Sequence, residues 1–267
     1  MEKTAILKAT NLRYQIGERE LLRQKHPITI AQNDLVSISG PSGGGKTTLL
    51  YLLSGLNRAT AGQVYWSEHN ITNLTLKGSL AKGQNLDKLR CEWIGIVFQQ
   101  PRLAKHLSGW ENLFLPLKLS GQFEHLDKAL LNQLLEAFFI NASANQPQIT
   151  ANLPQITAQQ QKPIDGSINS FEQLDQLLRR CVSSYSSGQM QRIAIIRAIL
   201  PKPKFIFADE ILNSVEPQLQ QSTWQVIKQI CATHNIGFVL VSHNLTLLND
   251  TCFSKKITVN QGQVICE

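Results

Sequence analysis

Apolar and polar positions along the chain switch repeatedly between a period of two and a period near 3.6. Ala5 to Leu12 and Pro27 to Ile30 read as short strands around a polar turn at Gly17. Leu35–Ser39 is a compact apolar run of the buried-strand kind, and Leu49, Leu52, Leu53 and Leu56 then fall on one face of a helix. Gly62–Trp66 resumes strand character, Thr72 to Lys88 is polar and loop-like, and Trp93–Phe98 is a second buried-strand candidate. Helical spacing returns from Trp110 to Phe139, clearest in Leu126, Leu130, Leu131, Leu134 and Leu135. Phe171 to Val182 and Met190 to Leu200 are further helices, the latter stopped by Pro201 and Pro203. Phe205–Ala208 is a strand; Pro217 opens a helix through Trp224, Ile227 and Ile230 that stops near Gly237. Phe238–Ser242 is another strand, and Lys256 to Ile265 reads as a closing hairpin turning at Gln261-Gly262. Strands separated by helices predict an α/β fold with a mostly parallel sheet.

Composition breaks this pattern once. Positions 141–170 are dense in Gln, Asn, Pro and Thr and short of large apolar residues, so they bury too little surface to offset the entropy of ordering. They read as an insertion on the helical region. No apolar run approaches the roughly 18–20 residues that cross a bilayer, and the start MEKTAILKATNL has no apolar secretory core behind its lysines. The expectation is a cytoplasmic protein. Cys91, Cys181, Cys231, Cys252 and Cys266 form no C-x-x-C pair, which argues for reduced thiols rather than a zinc or redox site. The net charge of +7 comes from scattered Lys and Arg, a solvated basic surface with no dense block, and no nucleic-acid partner is expected.

The chemistry is concentrated in Gly40-Pro41-Ser42-Gly43-Gly44-Gly45-Lys46-Thr47-Thr48, which fits the phosphate-binding pattern G-x-x-x-x-G-K-[ST] between a strand and a helix. Glycines let consecutive backbone N–H groups face one hollow. Lys46 supplies charge for the β/γ-phosphates, and the Thr47 hydroxyl suits Mg²⁺. The following helix points its positive end at the anion. Three other strands end in Gln99, in Asp209-Glu210 and in His243. In parallel sheets ligands bind beyond the carboxyl ends of the strands, so one fold rule gathers all four groups around a single nucleotide. Asp209 follows four apolar residues and suits the ion; Glu210 suits a water-polarising base; Gln99 suits ion and water; His243 suits the γ-phosphate. Tyr14, upstream of the loop, suits a nucleotide base, and a packed tyrosine without ligand fits its spacing nearly as well.

With these motifs the chain resembles, along essentially its whole length, the nucleotide-binding subunit of ATP-binding cassette (ABC) transporters. The distinguishing stretch is Tyr185-Ser186-Ser187-Gly188-Gln189-Met190-Gln191-Arg192, similar to the family's LSGGQ-x-Q-R signature. The resemblance implies a single P-loop NTPase domain over 1–267. It would have a mostly parallel core sheet, an N-terminal antiparallel β subdomain and a helical subdomain at 101–183 that includes the insertion. It further implies a head-to-tail dimer with two ATPs, each between one subunit's phosphate loop and the other's Ser186, Ser187, Gly188 and Gln189. Tyr14 takes the base-stacking position, Gln99 the Q-loop and His243 the switch histidine. The implied partner is a membrane-embedded permease, with the ATPase peripheral on the cytoplasmic face of the inner membrane. Gly55–Gly62 and Glu111–Leu117 resemble the lipoprotein-release, macrolide-export and cell-division branch.

Three departures stand out. Ser187 replaces the first signature glycine, Ile211–Glu216 replaces the usual Pro-Thr-Ser-Ala-Leu-Asp, and Asn244 stands where an aspartate often follows the histidine. The catalytic set itself is intact, so the expectation is an active ATPase with weakened signature contact. A soluble ABC ATPase of assembly, repair or translation remains the alternative, although sustained heptads and a second phosphate loop are missing from the sequence. A small-molecule kinase would leave the signature and His243 unexplained.

Overall fold

The computed structural model describes residues 6–72, 86–140, 170–212, 217–244 and 251–266. Its strands are β1 (Ile6–Ile16), β2 (Arg19–Gln24), β3 (Ile28–Ala31), β4 (Leu35–Ser39), β5 (Ala61–Trp66), β6 (His69–Asn70), β7 (Ile94–Val97), β8 (Phe205–Asp209), β9 (Gly237–Val241), β10 (Lys255–Asn260) and β11 (Gln263–Cys266). Its α-helices are α1 (Lys46–Leu53), α2 (Leu86–Trp93), α3 (Gly109–Ser120), α4 (Lys128–Leu135), α5 (Phe171–Leu178), α6 (Ser187–Ile199) and α7 (Pro217–Thr233).

The strands join one sheet in the order β6-β5-β1-β2-β11-β10-β4-β9-β8-β7, with β3 paired to β1. Its two halves differ in direction. From β10 to β7 every neighbour is parallel, whereas β1 pairs antiparallel with β2, β3 and β5. The parallel half is a doubly covered core: β8 and β9 are buried at every residue, as strands flanked by helices on both faces must be. One apolar cluster joins β8 and β9 to α3–α7, and a second joins α1 to β1–β5 on the opposite face.

Most expected elements are present, and the differences have local causes. Leu56, expected on the first helix face, lies beyond the Ser54 cap and is exposed. Trp93, expected to begin a strand, ends α2 instead and stacks on Trp66 and Phe205. The helical stretch from Trp110 to Phe139 is interrupted by Gly121, whose left-handed φ of 73° caps α3. A short 3₁₀ turn follows before α4 restarts behind the Asp127 cap. The helix from Phe171 ends at Leu178, and Val182 belongs to a separate 3₁₀ turn. Of the insertion read at 141–170, only Ser170 is described, as the cap of α5; Asn213–Glu216 also lie outside the described residues. Of the cysteines, Cys231 is buried in the core and Cys181 exposed.

Candidate nucleotide site

Strand β4 delivers the phosphate loop and α1 carries it away, because the loop backbone tolerates no side chain where it turns. Gly40 has φ 138°, and a β-carbon there would stand 1.9 Å from the Val259 carbonyl oxygen of β10. Gly45, at φ 108°, forms the left-handed entry to α1. The loop is fastened to the closing hairpin: Gly262 N–H donates to Gly44 O at 2.9 Å. Lys46 folds back over the hollow and is nearly buried, its ammonium donating to Gly40 O at 3.0 Å and Pro41 O at 2.8 Å. Burial pulls the Lys46 pKa down, opposed by the carboxylates of Glu210 and Asp209.

Adjacency of β4, β9, β8 and β7 brings the predicted catalytic groups to one edge. Thr47 Oγ1 donates to Asp209 Oδ2 at 3.0 Å. Asp209, the last residue of β8, is buried, and that burial raises its pKa against the Thr47 hydrogen bond. The Glu210 carboxylate is held on both oxygens, by Gln99 Nε2 at 2.8 Å and by His243 Nε2 at 2.6 Å. Glu210 sits at φ 51°, a strained conformation for a residue with a β-carbon, and its N–H donates to Val241 O at 2.9 Å. The left-handed turn ends β8 and aims the carboxylate across β9 at the histidine that follows it.

A hydroxyl and a carboxylate oxygen are the hard donors magnesium takes while keeping positions for water and phosphate. Thr47 and Asp209 therefore fit such an ion. No group of three His, Cys, Asp or Glu suited to a metal occurs among the described residues.

Ser186–Gln189 form a different surface. Ser186 caps α6, its Oγ accepting from Gln189 N–H at 3.2 Å while Gln189 Oε1 accepts from Ser186 N–H at 3.0 Å. Ser186 and Ser187 are exposed, and Gly188 and Gln189 half-exposed, so the helix start presents its N–H groups outward. Tyr14 lies at a bulge of β1 opposite Leu22, half-buried against the second apolar cluster. Asn244 bonds Gln220 Oε1 at 3.1 Å.

Residue-by-residue reading missed the supports of this site. Tyr51 on α1 meets Phe98 edge-on, and Arg102 lies 4.5 Å over the Phe98 ring. Gly262 was legible as a turn residue, but its bond to the phosphate loop depends on strand order, for which the sequence carries no local signal.

The family model described as ABC transporter matches residues 24–213, more than half of the chain. The chain belongs to the ABC transporter family. Among its relatives, the methionine import ATP-binding protein MetN 1 of Staphylococcus aureus (strain N315) is 27% identical over 238 residues, 89% of this chain and 57% of that protein. MetN of Cupriavidus metallidurans is 26% identical over 249 residues, 93% of this chain and 60% of the relative. This ABC chain thus spans about three-fifths of the length of the curated relatives it matches. Among solved structures, the ATP-binding cassette MJ0796, a dimer in a post-hydrolysis state bound to ADP and Pi, superposes with a TM-score of 0.72 at 24% identity, covering 98% of this chain and 97% of that one. A bacterial Atm1-family ABC exporter with ATP bound gives 0.70 at 17% identity, covering 99% of this chain and 38% of the exporter. Both likenesses establish the ABC cassette fold.

Proposed function

We propose that this chain is the ATP-binding and ATP-hydrolysing subunit of a membrane ABC transporter or related inner-membrane complex, peripheral on its cytoplasmic face. The observation that carries the reading is Glu210 held by Gln99 and His243 beside the Lys46 loop. A carboxylate so placed orients and deprotonates an attacking water, His243 and Lys46 meet the γ-phosphate, and Gln99 holds ion and water. Thr47 and Asp209 would hold Mg²⁺, which would neutralise phosphate charge. The loop from Gly40 to Thr48 cradles the phosphates, and Tyr14 stacks on the base.

Ser186, Ser187, Gly188 and Gln189 complete the site of a second subunit, the same chain or a relative, so that ATP bridges the pair until its terminal phosphate is cut. Their outward presentation at the start of α6 supports this reading. Pairing is also supported by the dimeric MJ0796 cassette, and a membrane partner by the import role in the relatives' name. No described helix is long and apolar enough to cross a membrane. In this reading the membrane-embedded partner is a permease. The Gly55–Gly62 and Glu111–Leu117 segments favour a partner of the lipoprotein-release, macrolide-export or cell-division kind.

Lys46→Ala tests the nucleotide site. ATP affinity, read by fluorescent-nucleotide titration, is expected to fall at least about tenfold, since hydrogen bonds to charged groups contribute about 1.5–3 kcal/mol. Retained affinity contradicts the assignment.

A further inference from the structure

Tyr185, the first residue of the signature stretch, is buried, and its hydroxyl donates to Leu177 O at 2.7 Å. Beside it lies Gly109, the first residue of α3: a β-carbon there would stand 2.4 Å from the Tyr185 oxygen and 2.8 Å from Leu178 Cδ2. Tyrosine and glycine are therefore a matched pair, the missing side chain of one making room for the hydroxyl of the other. Burial pushes the phenol pKa up, so the hydroxyl stays protonated and remains a donor.

The start of α3 is in turn tied both to the residues leading into Tyr185 and to the segment that carries Gln99. Val182 N–H donates to Leu107 O at 3.0 Å and Gly109 N–H to Arg180 O at 3.2 Å. Fully buried Asn112 accepts from Ala104 N–H at 2.9 Å and donates to Ala104 O at 3.1 Å and Ser108 O at 3.0 Å, fixing the loop between Gln99 and α3. Near the far end of α6, Arg197 donates to Arg102 O at 2.8 Å. The signature helix is thus braced to the Gln99 segment near both of its ends, and Gln99 reaches Glu210.

We infer that Tyr185 is a positioning residue for hydrolysis: its hydroxyl, seated against Gly109 and Leu177, sets the register between the signature residues Ser186–Gln189 and the Gln99 segment. Engagement of the signature by ATP held on the partner subunit is then transmitted to Glu210 of this chain. The inference rests on the nucleotide reading proposed above. It adds that a leucine-like anchor at 185 would hold the core without setting this register.

The test compares wild type with Tyr185→Phe and Gly109→Ala in the full chain, well below the melting temperature of each. ATP binding to the isolated subunit, which does not use that subunit's own Ser186–Gln189, is expected to stay within about twofold of wild type. The turnover number, with ATP-driven pairing, is expected to fall about tenfold in Tyr185→Phe, the effect of one lost buried hydrogen bond on the engaged state. Gly109→Ala, which keeps the hydroxyl but crowds it, is expected to reproduce that split. Because the crowded oxygen is gone, the double variant is expected to lose less than the product of the two single effects. Wild-type turnover and pairing in Tyr185→Phe overturn the inference, as does a parallel loss of single-subunit ATP binding, which marks a general structural role. A wild-type protein that neither binds nor hydrolyses ATP overturns the functional reading and this inference with it.

Discussion

Asp209, which the proposed function assigns to Mg²⁺, is held at the expense of stability. In the unfolded chain its carboxyl titrates near 3.8, and burial in the fold raises that value despite the Thr47 hydrogen bond. The sign follows from linkage: the folded state binds the proton more tightly, so this group destabilises the protein as pH rises through the folded pKa. Above the folded pKa the ionised side chain is a cost that the Thr47 hydrogen bond and the Lys46 charge offset only in part. Asp209→Asn in nucleotide-free and metal-free protein is therefore expected to melt a few degrees above wild type at pH 7. That gain should shrink as pH falls through the folded pKa and be gone near 3.8, where the folded and unfolded states both carry the proton. ATPase activity is expected to fall in the same variant. Thermal melts across pH check this, and a lower melting point than wild type at pH 7 contradicts it. The sequence made Asp209 legible because four apolar residues precede it, but its burial and the left-handed Glu210 beside it required the fold.

At the scale of elements, the phosphate loop works because β10 lies against it. Gly40 and Gly43 both have positive φ, 138° and 71°, but only Gly40 faces the β10 backbone; Gly43 opens on empty space. Gly43→Ala is expected to lose about 1–2 kcal/mol from the left-handed backbone alone. Gly40→Ala must also displace Val259, so its loss should be clearly larger and accompanied by weakened ATP binding. Denaturant titration with nucleotide binding separates the two, and equal losses would contradict the packing argument. The same contrast explains which elements were legible. The parallel strands announced themselves as apolar runs because both faces are covered, as in Phe205–Ala208. Strand β2 did not, because it alternates poorly: its inward positions are Leu22 and the polar Gln24, which donates to Ala9 O at 2.9 Å and His26 O at 2.6 Å. Helix α2 was hidden for a similar reason, its sequence LDKLRCEW offering few apolar residues to a periodicity search. Gly121 splits a stretch whose leucine spacing reads as continuous, because spacing does not reveal a left-handed cap.

For the whole molecule, the order β10-β4-β9-β8-β7 is what turns four separate motifs into one site. Lys46, Thr47, Gln99, Asp209, Glu210 and His243 meet within the chain, while Ser186–Gln189 stand outward on another element. That division is legible in the sequence only through resemblance, since spacing along the chain does not say that Ser186–Gln189 stand apart from the other motifs. It is also the reason the proposed function includes a second subunit: in that reading a nucleotide held by the loop has its remaining contacts on another copy or relative. The most direct test is the mass of Glu210→Gln in solution by light scattering, with and without ATP. The substitution keeps the binding surface while removing the base, so turnover should fall by about 10² or more. The account predicts a species of 29.9 kDa without nucleotide that about doubles in mass when ATP is added, alone or with the related ATP-binding subunit of its complex, and stays doubled. A mass that remains at 29.9 kDa with ATP bound, both alone and with that subunit added, would contradict it.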